Sequence, residues 1–342
     1  MKIVFLVVNY MPHQLVSIKA ILKTKGIEIH AFSYKAPHDF NEDIPNLITY
    51  KVSDFSRNSF YNKIITINPE FMVVAGWGIK DFVWVSKKIK AKFDIPVVAY
   101  SDTQWLATFK QKVNCLISPF HVKKAFTHLW VAGFYQYEYA RRLGFDKTKI
   151  IYNGLSCDMD LFRTVSLNHK IISYPKNFLF IGRFVPVKGL DLLVEAWNLI
   201  NDKKGWSLTL IGDGVLKEEL SKQDNIIIKN FLPQKELISE MEASGCFVLP
   251  SVFEQWSLVL HEASTAGLPI IATNACGAIP HFLINKFNGY TVNPTVESVK
   301  SALLQIINKD ASELMEMSNN SRQLAESITP ELGSAQLLSI LN

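Results

Sequence analysis

Short apolar runs alternate with longer amphipathic segments along the whole chain. A continuous apolar run of this length is typical of a strand that is buried on both faces of a parallel sheet. The first half predicts strands at Ile3–Val8, Ile27–Ser33, Phe71–Ala75, Ile95–Tyr100, Leu129–Val131 and Lys149–Tyr152. Helices are predicted between them, among others at His13–Lys25, Asp81–Lys92 and Phe134–Leu143.

The second half repeats this alternation more regularly. It predicts strands at Asn177–Ile181, Ser207–Ile211, Asn225–Lys229, Cys246–Leu249 and Pro269–Ala272. The helices predicted between these strands are Gly189–Ile200, Val215–Ser221, Gln234–Ala243 and Leu258–Ala266. An ordered strand–helix alternation implies parallel sheets with helices on both faces.

The polar stretch Cys157–Tyr174 carries little periodicity and is predicted to link two domains. We therefore expect an α/β protein with two doubly wound, Rossmann-like parallel-sheet domains that face each other across a cleft. The predicted domains are 1–163 and 164–328. A last helix at 329–342 could pack back on the N-terminal domain.

Composition adds a charge asymmetry to this picture. The chain has 342 residues, of which 48% are hydrophobic, so it can fill two cores. The net charge is +9 over residues 1–163 and −4 over the remainder. A basic first half favours an anionic partner, such as a phosphorylated acceptor or an anionic membrane surface, although a solvated basic face explains it equally well. A nucleic-acid partner is not expected, because the basic residues are not interleaved with aromatic platforms.

No apolar run approaches the roughly 20 residues of a membrane-spanning helix. The first run is brief and lacks a following cleavage site, which favours a buried strand over a signal peptide. The cysteines, which are Cys115, Cys157, Cys246 and Cys276, lack metal-site spacing and are expected to be reduced thiols. These features predict a cytoplasmic protein without a metal site, which could bind peripherally to the inner face of the plasma membrane.

Unusual residues follow the predicted strands of the second half, at the edge where open parallel sheets bind ligands. After the strand ending at Ile181, Gly182-Arg183 and Lys188 precede a helix. Two cations beside a helix N-terminus suit a diphosphate and would stabilise charge on a departing phosphate. Two ordinary surface cations are the alternative. After Ile211, the turn Gly212-Asp213-Gly214 permits close approach of a ligand, but by itself it is more often an ordinary turn.

The third loop and the helix after it carry one carboxylate each. Glu254 precedes a helix that is predicted to start near Ser257, and Glu262 lies eight residues further on within that helix. The helix start leaves backbone donors unused over Gln255–Leu258, which could hold a phosphate or sugar hydroxyls. Glu262 lies among apolar residues, so its carboxylate needs a partner such as a ribose diol, unless it is an exposed helix glutamate.

Together, these pieces resemble the family-4 retaining glycosyltransferases of the GT-B fold. The Glu-x7-Glu signature of that family matches Glu254 and Glu262, and four motifs occur in the family's order between Phe180 and Thr273. Asn153-Gly154 resembles the family's domain junction. Ser101–Trp105 with Gln111, and Gly133 with Tyr139–Gly144, resemble a subgroup that acts in surface-polysaccharide assembly.

This resemblance implies roles for the candidate residues. Arg183 and Lys188 would bind the donor diphosphate, Glu254 the transferred sugar, and Glu262 the ribose. The further donor-binding residues implied are Gly182, Gly212, Asp213, Gly214, Phe253, Gln255, Trp256, Ser257 and Leu258, with Lys229, Asn230, Phe231 and Leu232 near the nucleobase. The implied donor is a nucleotide sugar, UDP- or GDP-linked, with no metal or other cofactor. The implied mechanism is front-face attack with retention, for which Arg183, Lys188 and Glu254 would be the catalytic residues.

The acceptor, a glycan or lipid-linked glycan, is expected on the N-terminal domain. His13, Trp77, Asp102 and Trp105 follow predicted strands there, and His13 or Asp102 could orient the acceptor hydroxyl. Each of these residues could equally have a local structural role. A lysine-rich stretch with Phe82, Trp84 and Ile89, from Lys80 to Lys92, could dock on an anionic membrane or be a solvated helix face.

Three other functions fit the same pattern. A nucleotide-sugar epimerase or a sugar phosphorylase would share the architecture, and the phosphorylase would need a pyridoxal-phosphate lysine. A non-catalytic module that binds nucleotide sugars is the third alternative. The presence of Arg183, Lys188, Glu254 and Glu262 together argues against a degenerate site.

Overall fold

The computed structural model describes residues 1–34 and 44–341, apart from the side chain of His169. The described residues form two compact units. The first contains residues 1–156 together with the chain from Ile328 onward, and the second contains Cys157–Ser327.

The first unit is built on a seven-stranded parallel sheet. Its strands are β1 (Lys2–Val7), β2 (Glu28–Ser33), β3 (Leu47–Lys51), β4 (Phe71–Val74), β5 (Val97–Ser101), β6 (His128–Val131) and β7 (Ile150–Ile151), in the order β3-β2-β1-β4-β5-β6-β7. The helices that accompany them are α1 (Pro12–Leu22), α2 (Arg57–Ile67), α3 (Lys80–Lys92), α4 (Phe109–Ile117), α5 (Val122–Ala125) and α6 (Phe134–Arg142). The central strands are buried on both faces, as their apolar sequences predict.

The second unit has a six-stranded parallel sheet. Two short helices, α7 (Met159–Phe162) and α8 (Asn168–Ile172), precede the strands β8 (Asn177–Ile181), β9 (Ser207–Ile211), β10 (Ile227–Lys229), β11 (Cys246–Leu249), β12 (Ile270–Thr273) and β13 (Gly289–Val292). The strand order is β10-β9-β8-β11-β12-β13. The other helices are α9 (Leu190–Asn198), α10 (Lys217–Leu220), α11 (Gln234–Glu242), α12 (Leu258–Ala266), α13 (Ile279–Phe282), α14 (Val296–Ile307) and α15 (Ala311–Ala325).

The last helix, α16 (Pro330–Leu338), belongs to the first unit, where it packs against α1. Its Leu337 is buried in the same cluster as Ile18 and Ile21 of α1. Asn342, the end of the predicted segment 329–342, lies outside the described residues.

The stretch Cys157–Tyr174 was expected to be a linker, and this prediction is wrong. Cys157 and Phe162 are fully buried, and the Cys157 amide donates to Nδ1 of His261 at 3.1 Å. The segment therefore packs onto α12 as part of the second unit, and the units divide after Ser156 instead of after Arg163. Its contacts are long-range, so local periodicity gives no sign of them.

The pattern also left two strands unpredicted. β3 is one of the two edge strands of its sheet and is only half-buried, so it lacks a continuous apolar run. β13 begins at a glycine and is one of the two edge strands of the other sheet. An edge position alone does not explain these two omissions, because the edge strands β7 and β10 were predicted.

Candidate functional site

Four loops of the second unit lie side by side beyond the carboxyl ends of its strands, and backbone hydrogen bonds join them. Gly212 donates to Lys229 at 3.0 Å, and Phe184 donates to Asp213 at 2.7 Å. Val252 donates to Val187 at 3.0 Å, and the Gly277 amide donates to Glu254 at 3.0 Å. The hydrogen-bonded order of the strands is thus continued by the loops that follow them, which places the candidate residues along one edge.

Glycines allow these loops to approach so closely. Gly189 has φ 65°, and a Cβ there would overlap the carbonyl of Pro250, in the loop after β11. A Cβ on Gly214 would overlap the carbonyl of Phe184 in the same way. The turn at 212–214 therefore needs glycine for close packing. The sequence alone did not distinguish this turn from an ordinary one.

Lys188 and Glu254 form an ion pair. The Nζ of Lys188 donates to Oε2 of Glu254, and the two side chains are only 12% and 20% exposed. The loop after β8 is thereby linked to the loop after β11. The sequence had assigned these residues to different parts of a ligand, and the structure brings them into direct contact.

Arg183 is an exposed residue of the loop after β8. Its guanidinium has no hydrogen bond or ion pair within the described ranges. It is therefore a cation with its donors available to an anion at this edge. Asp213 of the next loop accepts from the Gly214 amide at 2.7 Å and pairs with Lys217 at 3.1 Å, so its charge is already balanced.

The start of α12 supplies unused backbone donors. The amides of Trp256, Ser257 and Leu258 make no backbone hydrogen bond in the described part of the chain. Ser257 has φ 81°, a left-handed conformation that costs a non-glycine residue about 1–3 kcal/mol and is concentrated at functional sites. The free amides and the helix dipole make this end of α12 suited to an anion.

The side chain of Trp256 lies in the core. It is 2% exposed and packs against His281 and Phe282, with ring centroids 5.3 and 6.0 Å away. Its ring is therefore held by packing within the second unit. Phe253, Gln255 and Leu258 are half-buried around it.

Glu262 is buried, with 6% exposure, and its Oε1 accepts a hydrogen bond from Nε2 of Gln234 at 2.7 Å. Burial raises the pKa of this carboxyl from its ordinary 4.5 to about 7, and the nearby Asp158 adds to the shift. The alternative of an exposed helix glutamate is therefore wrong. Gln234 was missed by the sequence analysis because a glutamine that opens a helix carries no chemical signal of its own.

The loop after β10 has a different arrangement from the others. The Nζ of Lys229 contacts both carboxylate oxygens of Glu240 at 2.7 Å, so α11 holds this lysine. Asn230 and Phe231 are exposed, Phe231 at 73%, and Leu232 is half-buried. An exposed aromatic ring next to the glycine turn offers a flat surface to a planar group.

In the first unit, His13 lies beside a cavity of about 20 Å³ that is also lined by Gln14, Tyr100 and Trp130. Burial lowers the pKa of His13 to about 4, so the imidazole is neutral near pH 7. The Tyr100 hydroxyl is buried and has no hydrogen-bond partner among the described residues. The sequence analysis missed Tyr100, because a tyrosine inside an apolar run reads as an ordinary strand residue.

Trp77 and Trp105 lie together elsewhere in this unit. Both contact the ring of Tyr139, with centroids 6.3 and 5.8 Å away, and the guanidinium of Arg142 lies 4.6 Å from the Trp105 ring. Both are packed against the core, which fits a structural role. Asp102 is exposed, and its carbonyl accepts from Gln136 at 3.1 Å.

The lysine-rich helix α3 turns its apolar residues inward. Phe82 and Ile89 are fully buried, and Trp84 is half-buried below the guanidinium of Arg57 at 4.9 Å. Lys90 donates to the backbone carbonyls of Lys123 and Phe126. This helix offers lysines but no apolar face.

Within residues 1–34 and 44–341, no group of three or more His, Cys, Asp or Glu side chains is arranged to hold a metal ion. The helices in the same ranges are all too short or too polar to span a bilayer.

Comparisons with known proteins agree with this architecture. Residues 167–324 match the family model described as glycosyl transferases group 1, and they include every candidate residue from Gly182 to Glu262. A Klebsiella pneumoniae protein described as an uncharacterized 41.2 kDa protein in the cps region is 29% identical over 200 residues, 55% of each chain. An Escherichia coli UDP-Gal:alpha-D-GlcNAc-diphosphoundecaprenol alpha-1,3-galactosyltransferase is 30% identical over 52% of this chain and 49% of its own. The chain spans about half the length of the curated relatives it matches.

Solved structures match the whole fold. The Anabaena protein HepE, crystallised with UDP, superimposes with a TM-score of 0.76 over 100% of this chain and 99% of its own, at 14% identity. Two parallel sheets with this strand order, matched over their full extent, are those of a GT-B protein. Over residues 167–324 the chain is similar in sequence to the glycosyl transferases group 1 family, and its fold is GT-B.

Proposed function

We propose that this chain is a retaining glycosyltransferase that moves a sugar from a nucleoside-diphosphate sugar to an acceptor hydroxyl in surface-polysaccharide assembly. One observation carries the proposal most directly. Arg183, the Lys188–Glu254 pair and the unused amides of α12 lie on adjacent loops of one sheet edge, joined by backbone hydrogen bonds. The match of residues 167–324 to the glycosyl transferases group 1 family supports the reaction class.

The diphosphate would bind Arg183 and the amides of Trp256–Leu258. Lys188 can contribute as well, because an ammonium group has three donors and Glu254 accepts only part of this capacity. Since Glu254 cancels the charge of Lys188, the net attraction for an anion comes from Arg183 and from the helix dipole. These groups are fixed in place before charge develops on the departing phosphate, which is how such sites lower a barrier.

The transfer breaks the bond between the sugar's anomeric carbon and the phosphate oxygen, and it forms the bond to the acceptor oxygen on the same face. The acceptor's proton passes to an oxygen of the leaving diphosphate. In this scheme Glu254 binds the transferred sugar and is not a nucleophile, because its ion pair with Lys188 lowers the reactivity of the carboxylate.

The remaining parts of the donor would follow the same edge. Glu262 would receive the ribose hydroxyls, and the exposed ring of Phe231 with Lys229–Leu232 would lie near the base. A uridine donor is the first candidate, since HepE was crystallised with UDP and the E. coli relative is named for UDP-Gal. The acceptor would be a glycan or lipid-linked glycan, in keeping with the diphosphoundecaprenol in that name and the cps region of the K. pneumoniae relative.

The proposal is tested first by a thermal-shift screen against UDP-, GDP-, ADP- and dTDP-sugars, in which a bound donor raises the melting temperature. Release of the nucleoside diphosphate from that donor is then measured for the wild-type chain and for Glu254→Ala. We expect Glu254→Ala to lower the rate by about a hundredfold, the usual effect of removing one preorganised polar group. The matched control is Glu218→Ala, which also removes a carboxylate paired with a lysine, but on an exposed surface.

Two outcomes would favour the alternatives. Mass spectrometry and NMR of the chain with nucleotide sugar alone would reveal an epimer formed without release of the diphosphate, as an epimerase requires. A donor that binds but is never cleaved, with water or with glycan acceptors, would indicate a binding module. Equal rates for Glu254→Ala and Glu218→Ala would remove Glu254 from the site.

A further inference from the structure

Helix α4 of the first unit is inverted relative to an ordinary surface helix. Its outward side carries an apolar stripe, which we define as Phe109, Val113, Leu116 and Phe120. The spacings of four, three and four residues place these side chains on one face, which continues from α4 into the turn after it. Phe109, Leu116 and Phe120 are 82%, 77% and 78% exposed.

The inward side of the same segment is polar. Gln111 is buried, where it donates to the carbonyl of Gln104 at 2.7 Å and accepts from the Leu106 amide at 2.8 Å. Ser118 is fully buried and donates to the carbonyl of Leu143 at 2.7 Å. These satisfied hydrogen bonds fix the orientation of the segment, so the apolar stripe cannot turn inward without breaking them.

The stripe has positive surroundings. Between Thr103 and Tyr137 the chain has four lysines, namely Lys110, Lys112, Lys123 and Lys124, and no acidic residue. Lys110 and Lys112 lie on α4 itself, and all four lysines are exposed. No ion pair involves them in the part of the chain that the structure describes.

We infer that the apolar stripe and its four lysines form a docking surface for a bilayer of anionic lipids. Helices with aromatic and leucine residues on one face and lysines beside them lie in the plane of the membrane interface, with the apolar side chains below the headgroups. The lysines meet the negative surface potential that anionic lipids create. Helix α3, by comparison, has lysines but keeps Phe82 and Ile89 in the core, so it lacks the apolar component.

Charge argues against a second copy of the chain as the occupant. A symmetric contact through the stripe would bring the same four lysines of both copies together without an acidic partner between Thr103 and Tyr137. An anionic lipid surface relieves this repulsion, and its hydrocarbon accepts the aromatic rings.

The test is flotation of the purified full chain with phosphatidylcholine vesicles, with and without phosphatidylglycerol. We expect binding to the vesicles that contain phosphatidylglycerol, weakened by high salt. The triple variant Phe109→Ser, Leu116→Ser, Phe120→Ser should bind about tenfold more weakly or worse, since it loses three insertions into the interface. Lys110→Gln with Lys112→Gln should reduce the preference for phosphatidylglycerol.

Matched controls distinguish binding through the apolar stripe from nonspecific adsorption of the protein to vesicles. The first control is a triple variant of the second unit, Leu199→Ser, Ile227→Ser, Ile284→Ser. It removes three apolar side chains that are 49%, 47% and 51% exposed. The second control is the double variant Lys222→Gln, Lys235→Gln, which removes two exposed lysines of the second unit. Both controls should float like the wild type, and melting curves of the stripe variant should match the wild type because its residues are exposed.

Three results would overturn the inference. The first is absence of binding to either vesicle, and the second is equal binding by the stripe triple variant and the wild type. The third is a concentration-dependent dimer in sedimentation velocity that the stripe triple variant abolishes, which would show that a second copy covers the stripe. None of these results bears on sugar-nucleotide binding by the second unit, so the proposed function stands or falls separately.

Discussion

At the scale of single residues, the motif identified the charged groups but not how they pair. Lys188 and Glu254 were both predicted from their positions after strands, yet their mutual contact depends on two loops separated by 66 positions. Likewise, Glu262 was singled out because it lies among apolar residues, but its partner Gln234 comes from a different helix. Sequence spacing indicates which strand end a side chain follows, and only the packed sheet determines which neighbour it reaches.

The raised pKa of Glu262 predicts a pH-dependent stability. The pKa of about 7 in the folded chain lies above the ordinary 4.5. The free energy of unfolding therefore falls by about 3 kcal/mol as the pH rises from 4.5 to 7, and it stays at the lower value above pH 7. Glu262→Gln keeps an acceptor for Gln234 but cannot ionise. We expect this variant to melt about 6 °C above the wild type at pH 8, with a much smaller difference at pH 5.

The same variant separates a functional role from a structural one. If Glu262 receives the ribose, Glu262→Gln should bind the donor about tenfold more weakly even though it is more stable, since a charged acceptor contributes more than a neutral one. Glu236→Gln, an exposed glutamate of α11, is the control and should change neither property. Unchanged donor affinity would remove Glu262 from the site, and an unchanged pH profile would show that its pKa is ordinary.

At the scale of elements, strand bounds were predicted best where the residue after the strand ends the apolar run. The bounds of β8, β9 and β11 agree with the predicted Asn177–Ile181, Ser207–Ile211 and Cys246–Leu249, because a glycine or a proline follows each strand directly. The edge strands β3 and β13 lack that signal. The orientation of helix α4 could not be predicted from its pattern, because its apolar side faces outward. The orientation is set by the inward hydrogen bonds of Gln111 and Ser118, which join α4 to other segments of the chain.

The close approach of the loops after β8 and β11 gives an element-scale prediction. Gly189→Ala should destabilise the second unit and weaken donor binding, because the new Cβ would meet the Pro250 carbonyl and push Lys188 away from Glu254. We expect a loss of about 2–4 kcal/mol in urea unfolding, from backbone strain and overlap together.

Gly205→Ala is a matched control for this change. Gly205 also has a left-handed backbone, φ 82°, but its Cβ would have only ordinary contact with Lys176. This variant should lose about 1 kcal/mol from the backbone alone and bind the donor normally. Equal effects of the two substitutions on donor binding would mean that the spacing of the two loops does not matter to the site.

At the scale of the whole molecule, the sequence predicted two parallel-sheet units and the family of the second. The strand–helix alternation and the ordered motifs were enough for this, and the GT-B fold is confirmed. The boundary between the units could not be placed, because Cys157 and Phe162 are bound to their unit by packing on α12 instead of by a local pattern. The basic charge of the first half is explained in part by the lysines beside the apolar stripe.

The central claim is that the loop edge of the second sheet binds the diphosphate of a sugar donor. Arg183 allows the most direct test, because its exposed side chain has no partner in the described residues and its removal should leave the fold intact. The measurement is calorimetric titration of the nucleotide sugar into the wild type, Arg183→Ala and the control Lys222→Ala. We expect a Kd about tenfold or more higher for Arg183→Ala alone, as for the loss of one charge-assisted hydrogen bond. Equal affinities for all three proteins would contradict the account.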